Sequence, residues 1–94
     1  MKILIVDDPP LGTTETLAQA LRAALGAGHE VRVAAGSQGA LDLAGTPAAV
    51  PDVLITEVVL EGIDGFALRE ALRVARPDLQ TIYLTAYDLS AYAD

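Results

Sequence analysis

The chain has 94 residues, 52% of them hydrophobic and 20% charged, with a net charge of −7 and no cysteine. This composition fits a single folded domain with a real core, and it excludes disulfides, thiolate metal sites and an intrinsically disordered chain. The acidic balance also argues against this domain gripping nucleic acid by itself; it suits cations or a basic partner surface.

Residues 2–6, KILIV, form a short unbroken apolar run, as expected of a strand covered on both faces. Asp7 and Asp8 stand at its end. The opening MKILIVDD turns acidic too early for a secretory signal, and no apolar run approaches a membrane span, so a cytoplasmic location is expected. A helix is predicted from about residue 11 to 26, where Leu17, Leu21 and Leu25 recur with Ala18 and Ala24 beside them. Pro10 suits its first turn, and Gly26 and Gly28 are stop signals. His29 reads as a surface residue.

Residues 30–34, EVRVA, alternate in the manner of an edge strand, with Val31 and Val33 on one face and Glu30 and Arg32 on the other. A weaker helix covers 37–44, with Ser37 in position to cap it. GTPAAVP, 45–51, is a loop. VLI, 53–55, reads as a third strand that leads through Glu57 to Gly-Ile-Asp-Gly at 62–65. A third helix spans about 66–75, with Phe66, Leu68, Leu72 and Ala75 as apolar contacts and Arg69, Arg73 and Arg76 as solvated charge. Pro77 prevents its continuation. TIYL, 81–84, is the fourth strand, and Thr85 follows it.

Strands alternating with helices predict an α/β fold with right-handed crossovers and an open parallel sheet. Ligands of such sheets bind beyond the carboxyl ends of the strands. If the first and third strands are neighbours, Asp7, Asp8 and Glu57 meet there. Three carboxylates repel unless a cation joins them, and Mg²⁺ prefers such hard oxygens. A hydroxyl at Thr85 would suit an oxyanion. Plainer readings stand beside these. Asp7 and Asp8 also suit a helix start, Thr85 a solvated strand end, and Asp64 a cap or loop support for the third helix. No glycine-rich phosphate loop follows the first strand, which sets aside a nucleotide-binding enzyme.

Taken together, ILIVDD, PDVLITEVVLEGIDG and IYLTA resemble the receiver domains of two-component response regulators, from residue 2 to about 88. The resemblance implies a flavodoxin-like (CheY-like) sheet in the order 2-1-3-4-5. It also implies a phosphorelay role, in which a histidine kinase passes a phosphoryl group to an aspartate beside Mg²⁺. By position, Asp7 and Asp8 would be the metal-binding acid pair, and Val59 would add its backbone carbonyl. Thr85 would be the switch hydroxyl. Gly62, Asp64 and Gly65 would belong to the loop after the acceptor. Glu57 would occupy the acceptor position itself and complete the metal set.

The departures from that pattern shape the expectation. Glu57 replaces aspartate, and its added methylene displaces the carboxylate from the geometry of attack. It would project instead into the space of a phosphoryl group and imitate that state in part. Glu61 stands where the family usually has proline, and Pro9 where a further acid is common. The family continues through a fourth helix, a fifth strand bearing a lysine, and a fifth helix, whereas these 94 residues form a receiver-like domain cut after its fourth strand. Lys2, at the opposite end of the sheet, cannot replace that lysine. Ile82 and Leu84 would then lie on an exposed edge, inviting a second copy or an exchange of elements. The chain is therefore expected to be a non-enzymatic signalling module with weakened or lost phosphorylation and weak or absent Mg²⁺. It would act by binding a histidine kinase, an output domain or itself. The alternatives are a receiver that still catalyses its own Mg²⁺-dependent phosphorylation, and a structural dimerisation domain.

Overall fold

The computed structural model describes residues 1–8, 12–44 and 46–84, apart from the side chains at 12, 13 and 47. The apolar runs become β1 (Lys2–Asp7), β2 (Glu30–Ala35), β3 (Val53–Thr56) and β4 (Gln80–Tyr83). They form one sheet in the order β2-β1-β3-β4, with every pairing parallel. Between them lie α1 (Gly12–Leu25), α2 (Gly36–Leu43), a 3₁₀ turn (Pro47–Ala49) and α3 (Gly65–Arg73).

The period-two alternation of β1 explains the layers. Ile3 and Ile5 join Val31, Ile55 and Ala18 in a cluster over which Leu17, Leu21 and Leu25 of α1 pack. Leu4 and Val6 face the other way, into a second cluster with Ala34, Ala40, Leu54, Leu68 and Leu72 under α2 and α3. A sheet with helices on both faces is the flavodoxin-like arrangement expected from the sequence. β2 is an edge strand, as its alternation indicated. Its outer rim is partly covered, because the Arg22 guanidinium donates to the Val31 carbonyl at 2.8 and 3.2 Å.

Several local expectations need correction. Ala24 and Ala75 are exposed rather than on the buried stripes. Phe66 is 37% exposed and packs at a tilt against Tyr83, with ring centroids 4.8 Å apart, instead of entering the core. Ser37 does not cap α2. The helix begins one residue earlier, Ala35 takes the cap position without a side-chain bond, and Ser37 is buried. The arginines of α3 and its exit are paired rather than simply solvated. Arg69 and Arg73 reach Glu70 at 2.7 and 3.3 Å, and Arg76 reaches Asp52 at 2.6 Å. Asp64 does cap α3, accepting the Ala67 N–H at 2.8 Å. Pro9, Pro10 and Thr85 lie outside the described residues.

β4 has β3 as its one neighbour among the described residues. Ile82 and Leu84 are 51% and 47% exposed, as expected for that edge.

Candidate functional site

The pairing of β1 with β3 decides where the acids fall. Val6 is in register with Thr56, and the Glu57 N–H continues the ladder onto the Val6 carbonyl at 2.9 Å. Asp7, Asp8 and Glu57 thus share the carboxyl end of the two central strands, and each is half-buried. At the end of β4, the Leu84 N–H still bonds the Thr56 carbonyl at 3.0 Å. Thr85, the expected switch hydroxyl, is beyond the described residues.

The three carboxylates share an edge but not a focus. Asp7 accepts the Asp8 N–H through Oδ1 at 2.8 Å and the buried Thr14 hydroxyl through Oδ2 at 2.6 Å. Asp8 turns the other way, and its Oδ2 accepts the Glu61 N–H at 2.8 Å. Glu57 bends back on its own loop, where Oε1 accepts the N–H of Val58 at 2.9 Å and that of Val59 at 3.4 Å. Like charges that cannot share a cation lower their energy by taking separate donors, and each acid does so here.

This arrangement bears directly on magnesium. The oxygens are of the right kind, but among the described residues no three His, Cys, Asp or Glu side chains come together closely enough to hold a metal. The set Asp7, Asp8, Glu57 and Val59 therefore does not fit the ion as arranged. Val59 meets Glu57 through its N–H. The longer arm of Glu57 lets its carboxylate reach two backbone donors of its own loop, Val58 and Val59.

That loop, residues 57–64, is tightly placed. Val58 and Leu60 are buried in the core. Gly65 opens α3 against the Glu57–Val58 backbone, with its N–H on the Val58 carbonyl at 2.8 Å. A Cβ at Gly65 would lie 2.5 Å from the Glu57 carbonyl oxygen, so only glycine allows this approach. Gly62 turns the chain with φ of 86°. Beside it, the Ser37 hydroxyl donates to the Glu61 carbonyl at 2.8 Å. Sequence reasoning missed Ser37 and Thr14 as neighbours of the acids. A serine near a helix start gave only the capping signal, and its real partner lies 24 residues away.

An open cleft of about 400 Å³ lies between Asp8, the start of α2 and the outer part of the loop. Gly36, Ser37, Leu41, Glu61 and Ile63 also line it. At the amino end of the sheet, by contrast, the space beside Lys2 and Pro51 is about 10 Å³, room for no more than a water.

The charges at that amino end are structural. Asp52 accepts the Lys2 backbone N–H at 2.6 Å and pairs with Arg76 at 2.6 Å. The Lys2 N–H above all, and then Arg76, hold the Asp52 carboxyl below its ordinary value of 3.8. The Lys2 ammonium bonds the Ala48 carbonyl, remote from the acids. Burial pushes the Tyr83 phenol above its ordinary 10.0.

Comparison with known proteins gives a consistent picture. The response regulator receiver domain family matches residues 3–94. A Chloroflexus aurantiacus protein assigned to the response regulators is 39% identical, with a TM-score of 0.72 over 96% of this chain and 71% of that one. The response regulator TrrA of Thermotoga maritima, solved with Mg²⁺-BeF, is 30% identical, with a TM-score of 0.74 over 98% of this chain and 73% of that one. A structure of the histidine kinase ThkA in complex with TrrA also matches, at 30% identity and a TM-score of 0.71, covering 93% of this chain and 70% of that one. No curated protein sequence matches the chain. No helix among the described residues is long and apolar enough to cross a membrane.

Proposed function

Because the chain belongs to the response regulator receiver domain family, we propose that it is a phosphorelay signalling module whose acceptor position, Glu57, has weakened or lost phosphorylation. It acts through protein–protein contacts in the cytoplasm. Its partner is a histidine kinase, as ThkA is for TrrA, or an output domain or a second copy of the chain.

One observation carries this reading. The Glu57 carboxylate already accepts two N–H groups of its own loop, at 2.9 and 3.4 Å. To attack phosphorus, an oxygen must be aimed at the donor and must give up competing hydrogen bonds. Glu57 is turned onto its own backbone, and an anionic oxygen rests on amides that would otherwise be free to hold one. The same contact gives the module a fixed, partly activated surface without phosphate.

The test is incubation of the chain with a small-molecule phosphodonor and Mg²⁺, followed by intact-mass measurement. The expected result is an unchanged mass. A stoichiometric phosphoryl adduct mapped to Glu57 overturns the claim and makes the chain a working receiver.

A further inference from the structure

The outer edge of β2 carries a self-complementary pattern. β2 has β1 as its one neighbour among the described residues. The Glu30 N–H turns inward, to the Met1 carbonyl at 2.9 Å. Successive residues of a strand direct their backbone groups to opposite sides, so Val31 and Val33 direct theirs outward. There the Val31 carbonyl is met by Arg22, which reaches over from α1 with Nη2 at 2.8 Å and Nε at 3.2 Å. Glu30 and Arg32 flank Val31 on one face of the sheet. They pair with each other at 2.7 Å, and their side chains remain 43% and 47% exposed. Val31 itself points to the other face, into the cluster with Ile3, Ile5 and Ala18.

We propose that the β2 edge pairs with the β2 edge of a second copy, antiparallel about a two-fold axis at Val31, and that Arg22 is the latch that holds this edge closed. The occupant follows from charge. An antiparallel pair centred on Val31 sets Glu30 opposite Arg32 of the second copy, and Arg32 opposite Glu30 of the second copy. Unlike charges then face each other at both ends. Centring the pair on Val33 instead sets Arg32 opposite Ala34 and loses both matches. The strand thus carries its own complement, as a two-fold interface requires. Val31 exchanges both backbone bonds with its counterpart, in the manner of a hydrogen-bonded antiparallel pair. The latch opposes this, because the Val31 carbonyl takes the new N–H only once the Arg22 guanidinium has turned away. A bare strand edge invites uncontrolled pairing, and a charged side chain laid over it limits that. Arg22 therefore sets how readily the edge opens, without being part of the pair. The inference deepens the proposed function, resting on it for the second copy as a partner, and names the surface that copy meets. It is independent of the chemistry at Glu57.

The experiment is sedimentation equilibrium at about 0.15 M salt, which screens general repulsion between acidic chains. It compares the parent chain, Arg22→Ala, Arg22→Ala with Arg32→Glu, and Arg22→Ala with Arg32→Glu and Glu30→Arg together. Circular dichroism checks that each is folded, and Arg22→Gln, which keeps part of the stem, serves should alanine unfold the chain. Arg22→Ala is expected to dimerise about four- to a hundredfold more tightly than the parent, because two latches worth about two- to tenfold each no longer have to open. Adding Arg32→Glu sets carboxylates face to face and is expected to weaken that dimer by about two- to thirtyfold. The further change Glu30→Arg restores unlike pairs and is expected to recover most of the affinity. Hydrogen exchange at the outward Val31 amide is expected to slow as Arg22→Ala dimerises. A folded Arg22→Ala that associates no more tightly than the parent overturns the proposal; a merely structural arginine gives that result, with a lower melting temperature alone. A dimer indifferent to Arg32→Glu uses another face and also overturns it. So do species larger than a dimer, which mean head-to-tail pairing with a different strand. A phosphoryl adduct on Glu57 would sink the proposed function and leave the edge standing, whereas a monomeric Arg22→Ala sinks the edge alone.

Discussion

Gly65→Ala tests whether steric contact with α3 sets the loop that carries Glu57. The new Cβ would lie 2.5 Å from the Glu57 carbonyl oxygen, 3.1 Å from Val58 Cα and 3.2 Å from Thr56 Cγ2. The two closest atoms are backbone and cannot rotate aside. Either α3 retreats or the loop shifts, and both stretch the 2.8 Å bond from the Gly65 N–H to the Val58 carbonyl. Overpacking of this kind costs about 1–3 kcal/mol, and weakening the bond adds up to about 1 kcal/mol. For a domain of this size each kcal/mol lowers Tm by about 4–8 °C, so a loss of about 1–4 kcal/mol implies a fall of at least roughly 4 °C. Gly39→Ala is the control. It lies within α2 with no atom within 4 Å of its ideal Cβ, and alanine there should stabilise by about 0.5–1 kcal/mol. Thermal unfolding followed by circular dichroism reads both. Gly65→Ala melting as high as the parent would refute the steric account, and a destabilised Gly39→Ala would refute the reading of open space.

Two further substitutions probe the scaffold. Leu54→Ala removes a fully buried side chain from the centre of the sheet and should cost about 2–5 kcal/mol in urea unfolding; a loss below 1 kcal/mol, by that same scale, would mean the core is looser than described. Asp52→Asn tests the amino-end cluster. The folded carboxyl lies below 3.8, so its charge stabilises the fold above that pH and the contribution is lost as pH falls through the lowered value. The penalty should be within about 1 kcal/mol near neutrality, since the side chain is partly exposed. It should shrink below pH 3.8, and a penalty that grows with acidity would reverse the assignment.

Much of the architecture was legible because it is written in local periodicity. Unbroken apolar runs at 2–6 and 53–55 marked strands buried on two faces, and alternation at 30–34 marked an edge. Leu17, Leu21 and Leu25 marked the inner stripe of α1. The misreadings came where a residue had two local uses. Ser37 had the chemistry of a cap but spent its hydroxyl on Glu61. Phe66 was apolar enough for the core but found a half-buried aromatic neighbour in Tyr83.

The sequence by itself determined the order of elements and the acids at the ends of β1 and β3. These follow from spacing along the chain and survive any detail of packing. Tertiary structure alone decided what those acids touch. Asp8 meets a backbone donor 53 residues away, Asp7 turns to Thr14, and Glu57 folds onto Val58 and Val59. A carboxylate takes whichever donors the fold brings within about 3 Å, and no pattern in the sequence fixes that choice until strands, loop and helix starts are set side by side.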